Sequence, residues 1–160
     1  MIDGPIDGPG TYSVYPSLYI EKVVKFFRRS AEEGNVAHQY MLGGLYFDGV
    51  QGSDGLPGSP KGGVQGSVPQ DYAEAMKWYR LAAEQGHTKA QFTLALMHLH
   101  GQGVPVNYPE AYKWFLLVTA QGSKPSADPS DLIAKYLTDE QISEARRLAA
   151  DLWEDYQSRQ

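Results

Sequence analysis

The side chains with chemistry to offer are four histidines (38, 87, 98 and 100) and nineteen carboxylates. There is no cysteine, which removes thiol chemistry, a disulfide framework and the strongest type of zinc site. His98 and His100 are two positions apart, so on a helix they point about 200° from each other and cannot share an ion unless the helix ends there. No Ser/His/Asp order stands out. Ser53, Ser59 and Ser67 lie in a glycine-rich stretch where nothing pre-organises a nucleophile. Glu74 and Glu110 sit at helix starts, where the helix dipole accounts for them without acid–base work. The expectation is a protein that is not an enzyme and holds no metal and no cofactor.

The remaining chemistry is apolar. Residues 36–47 predict a helix that is apolar around most of its circumference, and Thr88 to Leu99 is its counterpart. One stripe on each (Leu42, Leu45 and Tyr46; Leu94, Met97 and His98) is expected to pack on the partner helix. A second stripe comprises Tyr40, Gly44 and Phe47, echoed by Phe92, Leu96 and Leu99. A simple amphipathic helix needs one buried stripe. The second must be covered by a neighbouring repeat, by the chain's own loop, or by a ligand.

These stripes are positioned by a repeat. Asp71–Gly86 returns 36 residues later as Asn107–Gly122, identical at eight of sixteen positions, with Trp78/Trp114 and Gly86/Gly122 among them. A fainter copy (Val23, Val24, Phe26, Phe27, Arg28, Ala31, Gly34) lies in register at an offset of 52. That offset is one period plus sixteen inserted residues. A period of this size means stacked supersecondary units, each too small to bury its own apolar face.

Residues 1–16 form an extended lead-in with three prolines, followed by a single repeat domain over 17–160. The first helix is expected to run from Ser17 as N-cap to Glu33, with Gly34 as its stop. Lys22, Lys25 and Arg29 share one face, but Glu21, Glu32 and Glu33 leave residues 20–34 at only +1, the pattern of a solvated surface. The insertion, 49–68, holds seven glycines and two prolines. Its triplet frame breaks too soon for collagen, and it lacks the Gly-Lys-Ser/Thr of a phosphate loop. A loop this long is either a mobile spacer or a lip on a binding site. Asp71/Glu74 and Asn107/Glu110 have capping-box spacing, with Pro109 in the first turn. Residues 123–160 form the C-terminal cap: a short helix, Asp131 to Tyr136, then a helix capped by Thr138 with Gln141. Its apolar seam is Ile142, Ala145, Ala149, Leu152 and Tyr156.

Tyr-x-x-Ala-x-x-Trp-Tyr/Phe, a Gln-Gly stop, Ala-Gln-Phe-x-Leu-Ala and Gly-x-Gly-Val before Asn-Tyr together resemble the Sel1-like repeat, a bacterial-type relative of the tetratricopeptide repeat. The match is best over 71–122 and extends to about 20–156. The resemblance implies an all-α fold, an α-α superhelix (solenoid) of helix-pair repeats with a C-terminal capping helix. It also implies a non-catalytic scaffold or adaptor for a protein partner. In such proteins a groove lined by the first helix of each repeat takes a peptide or a partner helix. Carried over to this chain, that inner face is Tyr40, Gly44, Phe47, Phe92, Leu96 and Leu99, with His100 at its edge. The chain departs from the pattern at His38, where a small residue is expected, at His98 in place of tyrosine, and in the long insertion.

The totals limit the alternatives. A net charge of −5 argues against nucleic acid, since phosphate contacts need a clustered positive surface. No run of 18 apolar residues exists to span a membrane. The N-terminal residues do not read as a secretory signal, which favours the cytoplasm, or the periplasm if a leader has been trimmed. The competing function is a small hydrolase or carbohydrate-binding protein whose site is closed by the 49–68 loop. A further expectation is a homo-oligomer formed through the open N-terminal end.

Overall fold

A computed structural model of the chain describes residues 16–50, 67–122 and 129–160. Among these described residues seven helices follow one another: α1 (Pro16–Glu32), α2 (Val36–Asp48), α3 (Tyr72–Glu84), α4 (Thr88–His100), α5 (Tyr108–Ala120), α6 (Pro129–Ala134) and α7 (Asp139–Ser158). Each packs chiefly on its neighbours in sequence, and α7 folds back onto α5. The result is an α-α superhelix of stacked helix pairs closed by a terminal helix.

Local chemistry fixes the helix ends. Asn35, Asp71 and Asn107 each accept a hydrogen bond from the backbone N–H three residues on, at 3.0, 3.0 and 3.1 Å. His87 caps α4 in the same way through Nδ1, 3.2 Å from the Ala90 nitrogen. The stops at Gly34, Gly86 and Gly122 take left-handed φ values of 95°, 87° and 79°, which only glycine adopts cheaply. Thr138 and Gln141 close a full capping box at α7. Two expected starts move. α1 begins at Pro16, so Ser17 lies inside the helix, and α6 runs Pro129–Ala134 instead of 131–136. In both the proline opens the helix, where its missing N–H is not needed.

The core is one long cluster from α3 to α7, with Ala75, Leu94, Met97, Ala111 and Phe115 at most 1% exposed. A smaller cluster holds Ala31, Leu42 and Trp78, so Trp78 fills the gap between the first helix pair and α3. Close approach of α2 and α3 depends on Gly43: a Cβ there would lie 2.7 Å from the Tyr79 ring.

The insertion leaves the repeat undisturbed. The Asp71 nitrogen donates to the Tyr46 carbonyl at 2.8 Å, and the Asn107 nitrogen donates to the His98 carbonyl at 2.9 Å. The same bond therefore closes two connections that differ by sixteen residues. Val50 and Val68 pair as an antiparallel bridge, with N–H···O distances of 2.8 and 2.9 Å, and clamp the neck of the loop. Of the expected spacer or lip, residues 51–66 lie outside the described residues, as do 1–15 of the lead-in.

Candidate functional site

The second stripe runs along α2 and α4, and its cover comes from the helix that follows each. The Tyr40 ring stacks on His87 with centroids 4.5 Å apart and leans on Tyr79 at 5.5 Å. Phe47 lies 5.2 Å from Tyr72 and 6.2 Å from Tyr79. Phe92 meets Phe115 edge-on at 5.6 Å. Leu96 and Leu99 rest on the same core. Gly44 leaves room, since a Cβ there would come no nearer than 3.6 Å to the Tyr79 hydroxyl. All six are half-buried, and His100, the last residue of α4, is exposed. Each ring thus rests on a neighbouring aromatic ring and keeps part of its surface accessible, in two consecutive repeats.

Tyr72, Tyr79, Phe115 and His87 form the walls of the stripe, a role that sequence reasoning did not give them. The signal was present in Tyr72 and Tyr79, which are seven apart and hence on one face of α3. Burial, then the neighbouring Tyr40 and Asp48, push the Tyr79 phenol well above its ordinary value, so it stays a neutral hydroxyl. Burial, reinforced by Lys89, lowers His87 below the ordinary histidine value of 6.5. Neutral His87 keeps the Nδ1 lone pair that its capping bond requires.

Flanking the stripe, a polar joint recurs once in full and once in part. In the first copy the Glu74 carboxylate accepts from Trp78 Nε1 at 2.9 Å and from Arg28 at 3.4 Å, and Arg28 also donates to the Tyr46 hydroxyl. Glu74 is therefore spent on the joint, and only the forward half of the expected capping box forms, Asp71 accepting from the Glu74 nitrogen. In the second copy the equivalents are Arg80, His98, Glu110 and Trp114. Glu110 accepts from Lys113 at 2.9 and 2.7 Å. Both ring nitrogens of His98 and the Trp114 Nε1 are buried without a hydrogen-bond partner. Burial lowers the His98 pKa; Glu110 pulls it up in part, and the weaker effects of the Arg80 and Lys113 charges lower it again.

A glutamine ladder, also unforeseen, ties the repeats together. Gln39 donates to the Ala31 carbonyl at 3.0 Å and accepts from Gln85 at 2.7 Å. Gln91 donates to the Ala83 carbonyl at 3.0 Å and accepts from Gln121 at 2.8 Å.

Two of the clefts that lie away from the stripe bear on the alternatives. One, of about 280 Å³, sits between α5 and α7 over Pro109, Ala145 and Leu148. The other, of about 310 Å³, lies between α1 and the neck of the insertion, with Val24, Arg28, Tyr46, Val68 and Pro69 in its wall. A site closed by the 49–68 loop would have to lie near this second cleft. Among the described residues no three His, Cys, Asp or Glu gather closely enough to hold a metal ion, and no helix is long and apolar enough to cross a membrane.

Known proteins resemble this chain in sequence or in repeat fold. A protective antigen of uropathogenic Escherichia coli that displays an SLR fold superposes with a TM-score of 0.60 at 27% identity, over 88% of this chain and 29% of its own. A Sel1 repeat protein from Oxalobacter formigenes gives a TM-score of 0.50 at 30% identity, over 64% of this chain and 35% of its own. An F-box protein of Arabidopsis thaliana is 38% identical over 84 residues, which is 52% of this chain and 19% of that protein. The chain thus spans about a fifth to a third of the length of these relatives. Sel1 repeats generally mediate protein–protein interaction and are typically non-catalytic. The model of the Sel1 repeat matches residues 39–60, 61–87 and 88–123, and with more than half of the sequence so covered the chain belongs to the Sel1 repeat family.

Proposed function

We propose that the chain is a non-catalytic adaptor whose α2/α4 stripe docks an extended peptide or an amphipathic helix of a protein partner. In the phase of the family match over 88–123, α4 opens its repeat, and α2 is its counterpart 52 residues earlier. The observation that carries this reading is the half-burial of Tyr40, Phe47, Phe92, Leu96 and Leu99 at matching stations of two repeats. A residue needed only for the core is sealed, as Leu42 and Leu94 are at 0% exposure. A residue held by the core on one flank and open on the other offers a partner a rigid apolar surface, and rigid aromatic anchors dominate binding energy. The spacing fits a bound helix with anchors at i, i+4 and i+7, or a strand reading alternate side chains. His100, exposed at the end of the stripe, supplies a polar edge.

The test is a selection of peptides displayed on phage against the purified chain, followed by affinity measurement on variants. The rings contact Tyr72, Tyr79 and Phe115, so leucine and not alanine is the substitution that keeps the core filled. Phe47→Leu/Phe92→Leu with His100→Glu should weaken selected peptides at least roughly tenfold, the loss of about 1.4 kcal/mol of contact. Unchanged affinity would reject the stripe as the docking surface.

A further inference from the structure

The outward face of α1 is half of a repeat joint. The offset of 52 that aligns the copies places Phe26 at the station of Trp78, and Val23, Val24 and Phe27 at those of Ala75, Met76 and Tyr79. On α3 those four are at most 6% exposed, with Trp78 packed on Ala31 and Leu42, and Tyr79 against Tyr40 and Phe47, of the preceding helix pair. On α1 Phe26 is 61% exposed, and Val23, Val24 and Phe27 are half-buried. The Phe26 station, sealed at Trp78 on α3 and at Trp114 on α5, is therefore open on α1, while Val24 and Phe27 pack inward on Ala31, Leu42 and Trp78.

The residues beside Phe26 indicate what fits there. Lys22, Phe26, Arg29 and Glu33, all exposed, follow one another at helical spacing of four, three and four along one face. Run antiparallel to itself, this stripe is self-complementary: Lys22 meets Glu33 of a second copy, and Phe26 meets Arg29 of that copy. Parallel pairing would set like charges opposite each other. Within each copy Arg29 Nε pairs with Glu33 Oε1 at 3.2 Å, both side chains being exposed, so Lys22 of the second copy joins an existing surface pair.

We propose that two copies of this chain associate about a two-fold axis through α1, antiparallel, with each Phe26 seated against the other copy. The same patch on both copies makes the contact isologous, so it closes as a dimer instead of growing into a fibre. A 17-residue helix is about 25 Å long, and one helix pair buries less than the roughly 1,200 Å² of a stable interface. The dimer is accordingly weak and reversible, with a Kd on the order of 10–100 µM.

Sedimentation velocity over about 5 to about 500 µM tests this. The weight-average mass should climb from 17.7 kDa towards twice that value, and Phe26→Asp should abolish the rise. Glu33→Lys should weaken association about fivefold, and adding Lys22→Glu should restore it, because the swap rebuilds both cross-copy pairs. All four side chains are exposed, so helix content by circular dichroism should hold in every variant. A wild-type monomer across the range would overturn the proposal and leave the face to a helix pair of another polypeptide. Association indifferent to Phe26→Asp, or not rescued by the charge swap, would overturn it equally.

Discussion

Gln85 Nε2 donates to Gln39 Oε1 at 2.7 Å, across the boundary between two helix pairs. The Gln121–Gln91 bond repeats it at 2.8 Å one unit further on. Gln39 and Gln91 are 3% and 2% exposed, so each amide is buried and bonded on both sides, its nitrogen to the carbonyl of Ala31 or Ala83. Buried polar groups that are fully satisfied hold register, and half-satisfied ones are costly.

Gln91→Leu should therefore destabilise the chain by about 1–2 kcal/mol, since it keeps the volume but removes one of two donors to the Ala83 carbonyl, which Gly86 N–H still serves at 3.0 Å, and the acceptor of the Gln121 NH2 group. Urea denaturation measures this as a lowered midpoint at constant slope. Gln91→Glu should cost at least as much. A carboxylate cannot donate to the Ala83 carbonyl.

Two adjacent glycines should respond with opposite signs. Gly43→Ala places a Cβ 2.7 Å from the Tyr79 ring, which forces α2 and α3 apart, at a cost of about 1–3 kcal/mol that exceeds the gain in helix propensity. At Gly44 the nearest atom would be 3.6 Å away, an ordinary contact. Gly44→Ala should stabilise by about 0.5–1 kcal/mol through the lower backbone entropy of the unfolded chain. Thermal melts of the two single variants separate these outcomes.

Stability should fall as pH drops from 7 to 5. His98 and His87 both have folded pKa values below the ordinary 6.5, so the unfolded chain binds protons first as the solution is acidified. Their contribution is complete above about 6.5 and is lost progressively below it. His98→Tyr restores the residue found at the matching station, Tyr46, and should flatten the pH dependence. If the wild type and this variant lose stability in parallel between pH 7 and 5, His98 is not the group responsible.

Much of the architecture could be read from the residues alone, because the repeat carries its punctuation with it. The caps at Asp71, Asn107 and Thr138, the glycine stops and the closing seam of α7 all lie where local rules put them. The coverage of the second stripe was less accessible. Which helix lies over Tyr40 or Phe47 depends on the rotation between successive helices, and that is set by contacts such as Gly43 against Tyr79, 36 residues apart. The fate of Glu74 was hidden for a related reason: Arg28 and the Trp78 N–H compete for it, and folding brings Arg28 close. The glutamine ladder did have a signal, a polar residue recurring at one station of an otherwise apolar helix, as Gln39 and Gln91 do.

The adaptor reading is tested most directly by a chemical-shift map of the isotope-labelled chain titrated with a peptide selected on it. The expected result is a set of perturbations confined to α2 and α4 and their walls, strongest at Tyr40, Phe47, Phe92, Leu96 and Leu99 and extending to His100. Perturbations centred on the α5/α7 cleft or the neck of the insertion, with those residues silent, would contradict it.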